Sequence, residues 1–156
     1  PKAELEQANT LKAIGMFQVF VNTHAESQKR KEAEEIIALC LVKLEKKEYL
    51  SAQLYYNLGQ FRAAALSYTT LMNNYPESQK GEDYKLMAIK AYYKYASMSV
   101  KEKQEERFGK VITEVEDFQD RFPESKLLKE AERYLTLCQN NLKSLNNEQT
   151  SQAVGK

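Results

Sequence analysis

The sequence has no tryptophan, one histidine, two cysteines, three prolines and five glycines in 156 residues. So few prolines and glycines provide little of the turn chemistry that a protein of many short strands needs, and they favour a helical chain. Cys40 and Cys138 are too few for a disulfide framework and are not spaced to bind a metal.

The chain also lacks long apolar runs and an excess of charge of either sign. Its apolar stretches, such as residues 36–42, are far shorter than the roughly 20 residues that a membrane-spanning helix needs. The formal net charge is +1, so the total charge gives no reason to expect binding to nucleic acid or to a membrane surface. The sequence starts Pro1-Lys2-Ala3-Glu4, without an initiating methionine or a signal peptide, and we expect it to be part of a longer protein.

One short motif occurs three times: "NTHAESQK" at 22–29, "NNYPESQK" at 73–80 and "DRFPESKL" at 120–127. Pro76 and Pro123 predict helix ends, because proline has no amide hydrogen and restricts the residue before it. Ser78 and Ser125 can accept a hydrogen bond from the free amides at the start of the next helix. The first copy has Ala25 in place of proline. The motif therefore predicts repeat boundaries near 25, 76 and 123.

Between these boundaries the apolar residues recur at helical spacing. The predicted helices cover about 4–22, 28–58, 61–74, 80–98, 107–121 and 126–145, and Gly59 is expected to end the second. The charged stretch 97–107 has no apolar stripe and is predicted to be a connection. Residues 146–156 are polar without a period, so we predict a repeat domain over 1–145 followed by a disordered tail.

The three copies also agree in their apolar positions when they are aligned on the motif. The aligned sets are Ala13, Ala64 and Val111; Phe17, Tyr68 and Val115; Phe20, Leu71 and Phe118; Ala33, Tyr84 and Ala131; Ile36, Met87 and Tyr134; and Cys40, Ala91 and Cys138. Since both cysteines occupy one such position, we expect them to be buried and free. Helix-turn-helix units of this kind bury their apolar faces by stacking, which predicts an all-α solenoid of about two and a half extended repeats.

The stretch "GQFRAAALSYTTLMNNYP", 59–76, resembles a tetratricopeptide repeat. The matching residues are Gly59, Phe61, Ala64, Tyr68, Leu71 and Pro76, and the third copy repeats the pattern with Phe118 and Pro123. The copies lie further apart than the 34 residues of that family's unit, so the predicted repeats are extended.

Three longer stretches are similar to the C-terminal part of the BamD family of outer-membrane assembly lipoproteins, in its Bacteroidetes-type form. They are "LYYNLGQFRAAALSYTTLMNNYPES", "IKAYYKYASMSVKEKQEERF" and "FQDRFPESKLLKEAERYL", and the similarity covers roughly residues 1–142. Other periplasmic repeat proteins share the proline–serine motif, whereas the stretch 92–107 favours the BamD family.

The resemblance implies a non-enzymatic scaffold on the periplasmic face of the outer membrane, held there by a lipid anchor upstream of this sequence. The implied partners are the POTRA domains of the insertase BamA, other subunits of the assembly machinery and unfolded outer-membrane proteins. No cofactor, metal or nucleic acid is implied. The alternatives are another periplasmic repeat adaptor, similar to the Tol-Pal coordinator, and a helical regulatory domain of a larger enzyme.

The residues themselves do not indicate catalysis. His24 is predicted to lie in a turn, in the place of the motif's aromatic residue, and Cys40 lies mid-helix without a basic neighbour to lower its pKa. Neighbouring acids such as Glu34 and Glu35 point to different sides of a helix. The basic run 28–35 is followed at once by acids and lacks interleaved aromatics, which is typical of a solvated helix start.

The tyrosines are the strongest candidates for partner binding. Four of them, Tyr55, Tyr68, Tyr84 and Tyr134, are interpreted as packing positions. The remaining face of the middle repeat carries Tyr49, Gln53, Tyr56 and Asn57, and Tyr93 with Lys94 is the matching pair in the next repeat. In tetratricopeptide arrays this face lines the concave groove, and tyrosine suits it because its ring provides contact area and its hydroxyl tolerates water.

Overall fold

The computed structural model describes the backbone of residues 1–154 and the side chains of residues 1–147. Its secondary structure is helical throughout this part of the chain: α1 Ala8–Thr23, α2 Arg30–Asn57, α3 Phe61–Asn74, α4 Gly81–Ser97, α5 Lys101–Arg121 and α6 Leu128–Val154. The all-α prediction is confirmed. Contacts divide the chain into two compact units, Pro1–Ser51 and Ala52–Lys156, where the sequence predicts one repeat domain. We call them unit 1 and unit 2.

The three motif copies form the same turn between helices. In each copy the serine hydroxyl accepts a hydrogen bond from the backbone N–H two residues further on: Lys29 to Ser27 at 3.2 Å, Lys80 to Ser78 at 3.2 Å and Leu127 to Ser125 at 3.0 Å. In the third copy the ring of Phe122 packs against Phe118, with 5.2 Å between the ring centroids. His24 takes the aromatic place in the first copy and stacks on Phe20 at 4.9 Å. All three copies thus lie in turns between helices, including the one without proline.

Gly59 ends α2 in the left-handed conformation that the sequence predicts, with φ at +74°. The backbone N–H groups of Gly59 and Gln60 donate to the carbonyls of Tyr56 and Tyr55, which satisfies the last turn of the helix. Any residue with a Cβ is strained at this φ, so glycine is required here for conformational reasons.

Three helix boundaries differ from the prediction. Of the stretch 97–107, only residues 98–100 form a connection, and residues 101–107 are the first two turns of α5, because Lys, Glu and Gln are strong helix formers and need no apolar stripe where a helix faces water. The chain before α1 is not helical, since the Gln7 side chain donates to the carbonyls of Lys2 and Leu5 and holds this segment in turns. At the other end, helix continues to Val154 through most of the predicted tail, because a helix that packing has already nucleated extends at little cost. Residues 155 and 156 lie outside the described residues.

Unit 2 has a continuous apolar core in which α4 packs against α3, α5 and α6, and α5 also packs against α6. Most of the aligned apolar positions of the second and third copies are buried in unit 2, while Met87 and Tyr134 are half-buried. Among the fully buried residues are Ala64, Tyr68, Leu71, Ala91, Val111, Val115, Phe118, Ala131 and Cys138. Fully burying a large apolar side chain contributes about 1.5–3 kcal/mol, so these positions dominate the stability of the unit.

In unit 1 most of the same aligned positions are only half-buried. Ala13, Phe17, Phe20 and Ile36 line a cavity of about 520 Å³ together with neighbours on α1 and the start of α2. Cys40 is also half-buried, so the prediction that both cysteines are buried is right for Cys138 and wrong for Cys40, although both thiols are free.

A network of charged side chains lies at the boundary between α4 and α5. The Lys85 ammonium, which is almost fully buried, lies 2.5 Å from a carboxylate oxygen of Glu114 and 2.5 Å from one of Asp117. Lys110 lies 2.5 Å from the other oxygen of Glu114, and Arg121 lies 3.6 Å from Asp117. Burial opposes ionisation of Glu114, but hydrogen bonds from Lys110 and Lys85 outweigh it and lower the pKa of this carboxyl below its ordinary value.

The pKa of Asp117 is also lowered. Burial raises it, while the hydrogen bond and the charge of Lys85, followed by the charge of Arg121, overcome that effect. The hydrogen bond to Glu114 in turn raises the pKa of Lys110. Glu114, Asp117 and Lys110 are therefore charged at neutral pH, and Lys85 joins two helices by pairing with both carboxylates.

Candidate partner-binding surface

The four candidate residues of α2 lie on two different units. Tyr49 is half-buried in unit 1, and Gln53, Tyr56 and Asn57 belong to unit 2 at the end of the helix. The ring of Tyr56 is half-buried and meets the edge of Phe61, with 5.2 Å between centroids and an angle of 74°. Phe61 is the first residue of α3, so this contact fixes the Tyr56 ring across the turn at Gly59.

The two candidates on α4 have different surroundings. Lys94 is exposed in the last turn of the helix. Tyr93 packs against the core of unit 2: its ring lies 5.9 Å from Phe108 and 5.3 Å from Tyr134, centroid to centroid. Its hydroxyl accepts a hydrogen bond from the Asn141 side chain at 3.4 Å. Tyr93 is therefore anchored on one side and half-exposed on the other.

Tyr134 of α6 belongs to this surface, although the sequence places it among the packing positions. It is half-buried and meets Tyr93 in an edge-to-face contact. Its aligned position is apolar in every copy, with Ile36 in the first copy and Met87 in the second. The only sequence signal that Tyr134 could also bind a partner is its polar hydroxyl, which the other two residues lack. We call Tyr56, Tyr93 and Tyr134 the tyrosine surface of unit 2.

The charges beside this surface are balanced. Lys90 of α4 forms an ion pair with Glu130 of α6 at 2.7 Å. Burial raises the pKa of the Tyr134 hydroxyl above its ordinary value; Lys90 opposes this rise, and the hydroxyl of Tyr56 adds to it. Direct ring contact joins Tyr93 and Tyr134, whereas Tyr56 at the end of α2 is held by its own contact with Phe61.

Such an arrangement is suited to binding a protein surface. The three rings are held by aromatic contacts, so little side-chain entropy is lost when a partner covers them. Each ring presents apolar area next to a hydroxyl that can exchange water for a partner's hydrogen bond.

The described residues do not bring together a metal-binding set. No group of three or more His, Cys, Asp or Glu side chains is placed to hold a metal ion in this part of the chain. The Nδ1 atom of His24 is hydrogen-bonded to the neighbouring Thr23 hydroxyl at 2.8 Å. Burial raises the pKa of the Cys138 thiol to about 12, which opposes formation of a reactive thiolate. Nor is any of these helices long and apolar enough to cross a membrane.

Comparison with known proteins does not identify a family. No protein-family model matches the chain, and no curated protein matches it at a significant level.

Proposed function

We propose that this chain is a non-enzymatic scaffold that binds a protein partner in the outer-membrane β-barrel assembly machinery. The partner is the POTRA domains of BamA, and the proposed role is to help assemble outer-membrane proteins, as the resemblance to the BamD family implies. The proposal places the chain on the periplasmic face of the outer membrane. The upstream lipid anchor belongs to the same proposal.

The observation that carries the proposal is the tyrosine surface of unit 2. Its three residues lie on α2, α4 and α6, the first helices of three successive repeats. They are Tyr56, Tyr93 and Tyr134, and all three are half-exposed. Partner-binding residues in tetratricopeptide arrays lie on this series of helices, and tyrosine is among the residues that contribute most to protein interfaces.

The test is to measure the affinity of the full chain for the POTRA domains of the BamA encoded in the same genome, by isothermal titration calorimetry. We expect Tyr56→Ala to weaken binding about tenfold or more, because it removes an anchored aromatic contact. Tyr55→Ala is the matched control, since Tyr55 is exposed on a different side of the same helix.

Two outcomes would contradict the proposal. If the unaltered chain does not bind these POTRA domains, the assignment to this machinery fails. If it binds and Tyr56→Ala, with its helical content intact, binds equally well, the tyrosine surface is not the contact. Envelope extract passed over the immobilised chain separates the alternative, because a Tol-Pal coordinator-like adaptor would retain Tol-Pal components in place of BamA.

A further inference from the structure

Two neighbouring cavities of unit 2 differ sharply in chemistry. One of about 590 Å³ is lined by the charged and aromatic side chains Arg62, Tyr92, Tyr95, Glu106, Arg107 and Lys110. The other, of about 490 Å³, lies between the start of α3 and Tyr95 of α4, and its lining includes the apolar residues Phe61, Ala63 and Leu66. Arg62 and Tyr95 line both cavities, so the cationic space and the apolar space share a wall.

Arg107 is fixed in place before any ligand arrives. Its guanidinium stacks on the ring of Tyr95, 4.1 Å from the centroid, and it donates a hydrogen bond to the Ser99 hydroxyl. The Ser99 hydroxyl itself donates to the Tyr95 carbonyl, and Gln104 donates to the Ser99 carbonyl, so the turn that carries Ser99 is also held. Fixing a guanidinium in this way lowers the entropy lost when it binds an anion.

The cations of this cavity are unequally balanced. Lys110 pairs with Glu114 at 2.5 Å, and Glu106 pairs with Lys103 at 3.5 Å. Within the described part of the chain, neither Arg62 nor Arg107 forms an ion pair with a carboxylate. Two guanidinium groups, one exposed and one half-buried, therefore line the cavity without an ion pair, while the carboxylate of Glu106 in the same lining is paired with Lys103.

We propose that these joined cavities bind a protein segment that carries an acidic side chain one or two positions from a large apolar side chain. The carboxylate would accept hydrogen bonds from Arg62 and Arg107, which are geometrically suited to it. The apolar side chain would enter the cavity beside Phe61 and Leu66. Leu66 is a large apolar residue left exposed on α3, and a bound side chain would cover it.

The same observations disfavour nucleic acid and lipid surfaces. Those partners are held by runs of many uncompensated cations, whereas Lys103 and Lys110, which flank Arg107 in the sequence of α5, are already paired with glutamates. An adjoining apolar cavity has no use in binding a phosphate backbone. This inference does not depend on the proposed function, because its test measures peptide binding to Arg62 and Arg107, which are not part of the tyrosine surface.

The test is selection of displayed random heptapeptides on the immobilised full chain, with binding of the enriched peptides measured by fluorescence anisotropy. We expect enrichment of Asp or Glu one or two positions from Leu, Phe, Ile or Met. Arg62→Gln and Arg107→Gln should each weaken binding of the selected peptide about tenfold or more, because each removes a charge-assisted hydrogen bond. Arg133→Gln is the control, since Arg133 is an exposed arginine on α6 outside both cavities.

A double-mutant cycle separates this contact from a general loss of charge. Replacing the peptide's Asp by Asn should weaken binding to the unaltered chain and have little further effect on the Arg62→Gln, Arg107→Gln double variant. The proposal is overturned if no acidic–apolar peptides are enriched, or if the double variant retains its helical content and binds them equally well. Displacement of the peptide by equal concentrations of inorganic phosphate would also overturn it, because it would reveal a simple anion site without selectivity for a side chain.

Discussion

The charged network between α4 and α5 provides the sharpest test of how unit 2 is stabilised, and Lys85→Met is the perturbation. Methionine keeps the length and apolar body of the lysine side chain but removes its ammonium group. Only 4% of the Lys85 side chain is exposed, so the variant leaves Glu114 and Asp117 without their shared partner at a site with little access to water.

The expected loss of stability depends on which charged partner, or how much contact with water, each carboxylate retains. Breaking a buried ion pair by removing one partner typically costs about 3–5 kcal/mol, because the other charge stays buried without compensation. Glu114 keeps Lys110 at 2.5 Å, and the side chain of Asp117 is 45% exposed. We therefore expect a smaller loss in the free energy of unfolding, about 2–3 kcal/mol at neutral pH.

Urea unfolding followed by far-ultraviolet circular dichroism measures this loss, and tyrosine fluorescence provides a second probe because the sequence has no tryptophan. The control is Lys90→Met. Lys90 pairs with Glu130 at 2.7 Å, but both side chains are more accessible to water, so its loss should cost at most about 1 kcal/mol.

A second variant isolates the uncompensated charge as the cause. In Lys85→Met, Glu114→Met both charges are removed, and most of the lost stability should return, to within about 1 kcal/mol of the unaltered chain. The reasoning is refuted if Lys85→Met costs no more than Lys90→Met. It is also refuted if the double variant is less stable than Lys85→Met alone, because the unpaired charge of Glu114 would then not be the cause of the lost stability.

Three further predictions concern acid stability, thiol reactivity and the glycines. The folded-state pKa of Glu114 is lowered, so its contribution to stability is fully present above the ordinary carboxyl pKa of 4.5 and is lost as the pH falls through the lower folded-state value. Glu114→Gln should therefore flatten the acid limb of a plot of unfolding free energy against pH. An unchanged limb would contradict the lowered pKa. Iodoacetamide should modify Cys40 before Cys138, whose thiol is buried with a pKa of about 12, and mass spectrometry showing equal rates in the folded protein would contradict this. Gly59→Ala should destabilise the protein by about 1 kcal/mol because φ is +74°. Gly15 lies within α1 with open space around it, so Gly15→Ala should stabilise the protein by about 0.5–1 kcal/mol. Thermal unfolding that shows the same sign for both variants would contradict the conformational argument.

Much of the helical architecture is predictable because the signals are local. A proline or glycine acts on its own backbone, and a serine hydroxyl reaches an amide only two residues away, so the turns near 25, 76 and 123 depend on a few neighbouring residues. The same reasoning misplaced the start of α5, because it relied on apolar periodicity. The solvated turns after Lys101 need only good helix formers.

The candidate sites were less predictable because they depend on residues far apart in the sequence. Tyr134 looks like a packing residue in its own repeat, and only the contact between α4 and α6 places it against Tyr93. Arg62 and Arg107 are ordinary surface arginines in the sequence. Their shared cavity and the stacking of Arg107 on Tyr95 appear only when α3, α4 and α5 are packed.

The sequence by itself determined that the chain is helical, where most helices end and which positions of the second and third repeats are buried. Each of these follows from backbone conformation or from the period of the apolar residues. The tertiary structure alone decided which charges are compensated between helices. The pair of Lys110 with Glu114 follows from their spacing of four residues on α5, but no spacing predicts that Lys85 of α4 is paired with α5 while Arg62 and Arg107 form no ion pair within the described residues. The physical reason is that electrostatic energy depends on distance and burial in three dimensions, whereas helix formation depends mainly on neighbours in the chain.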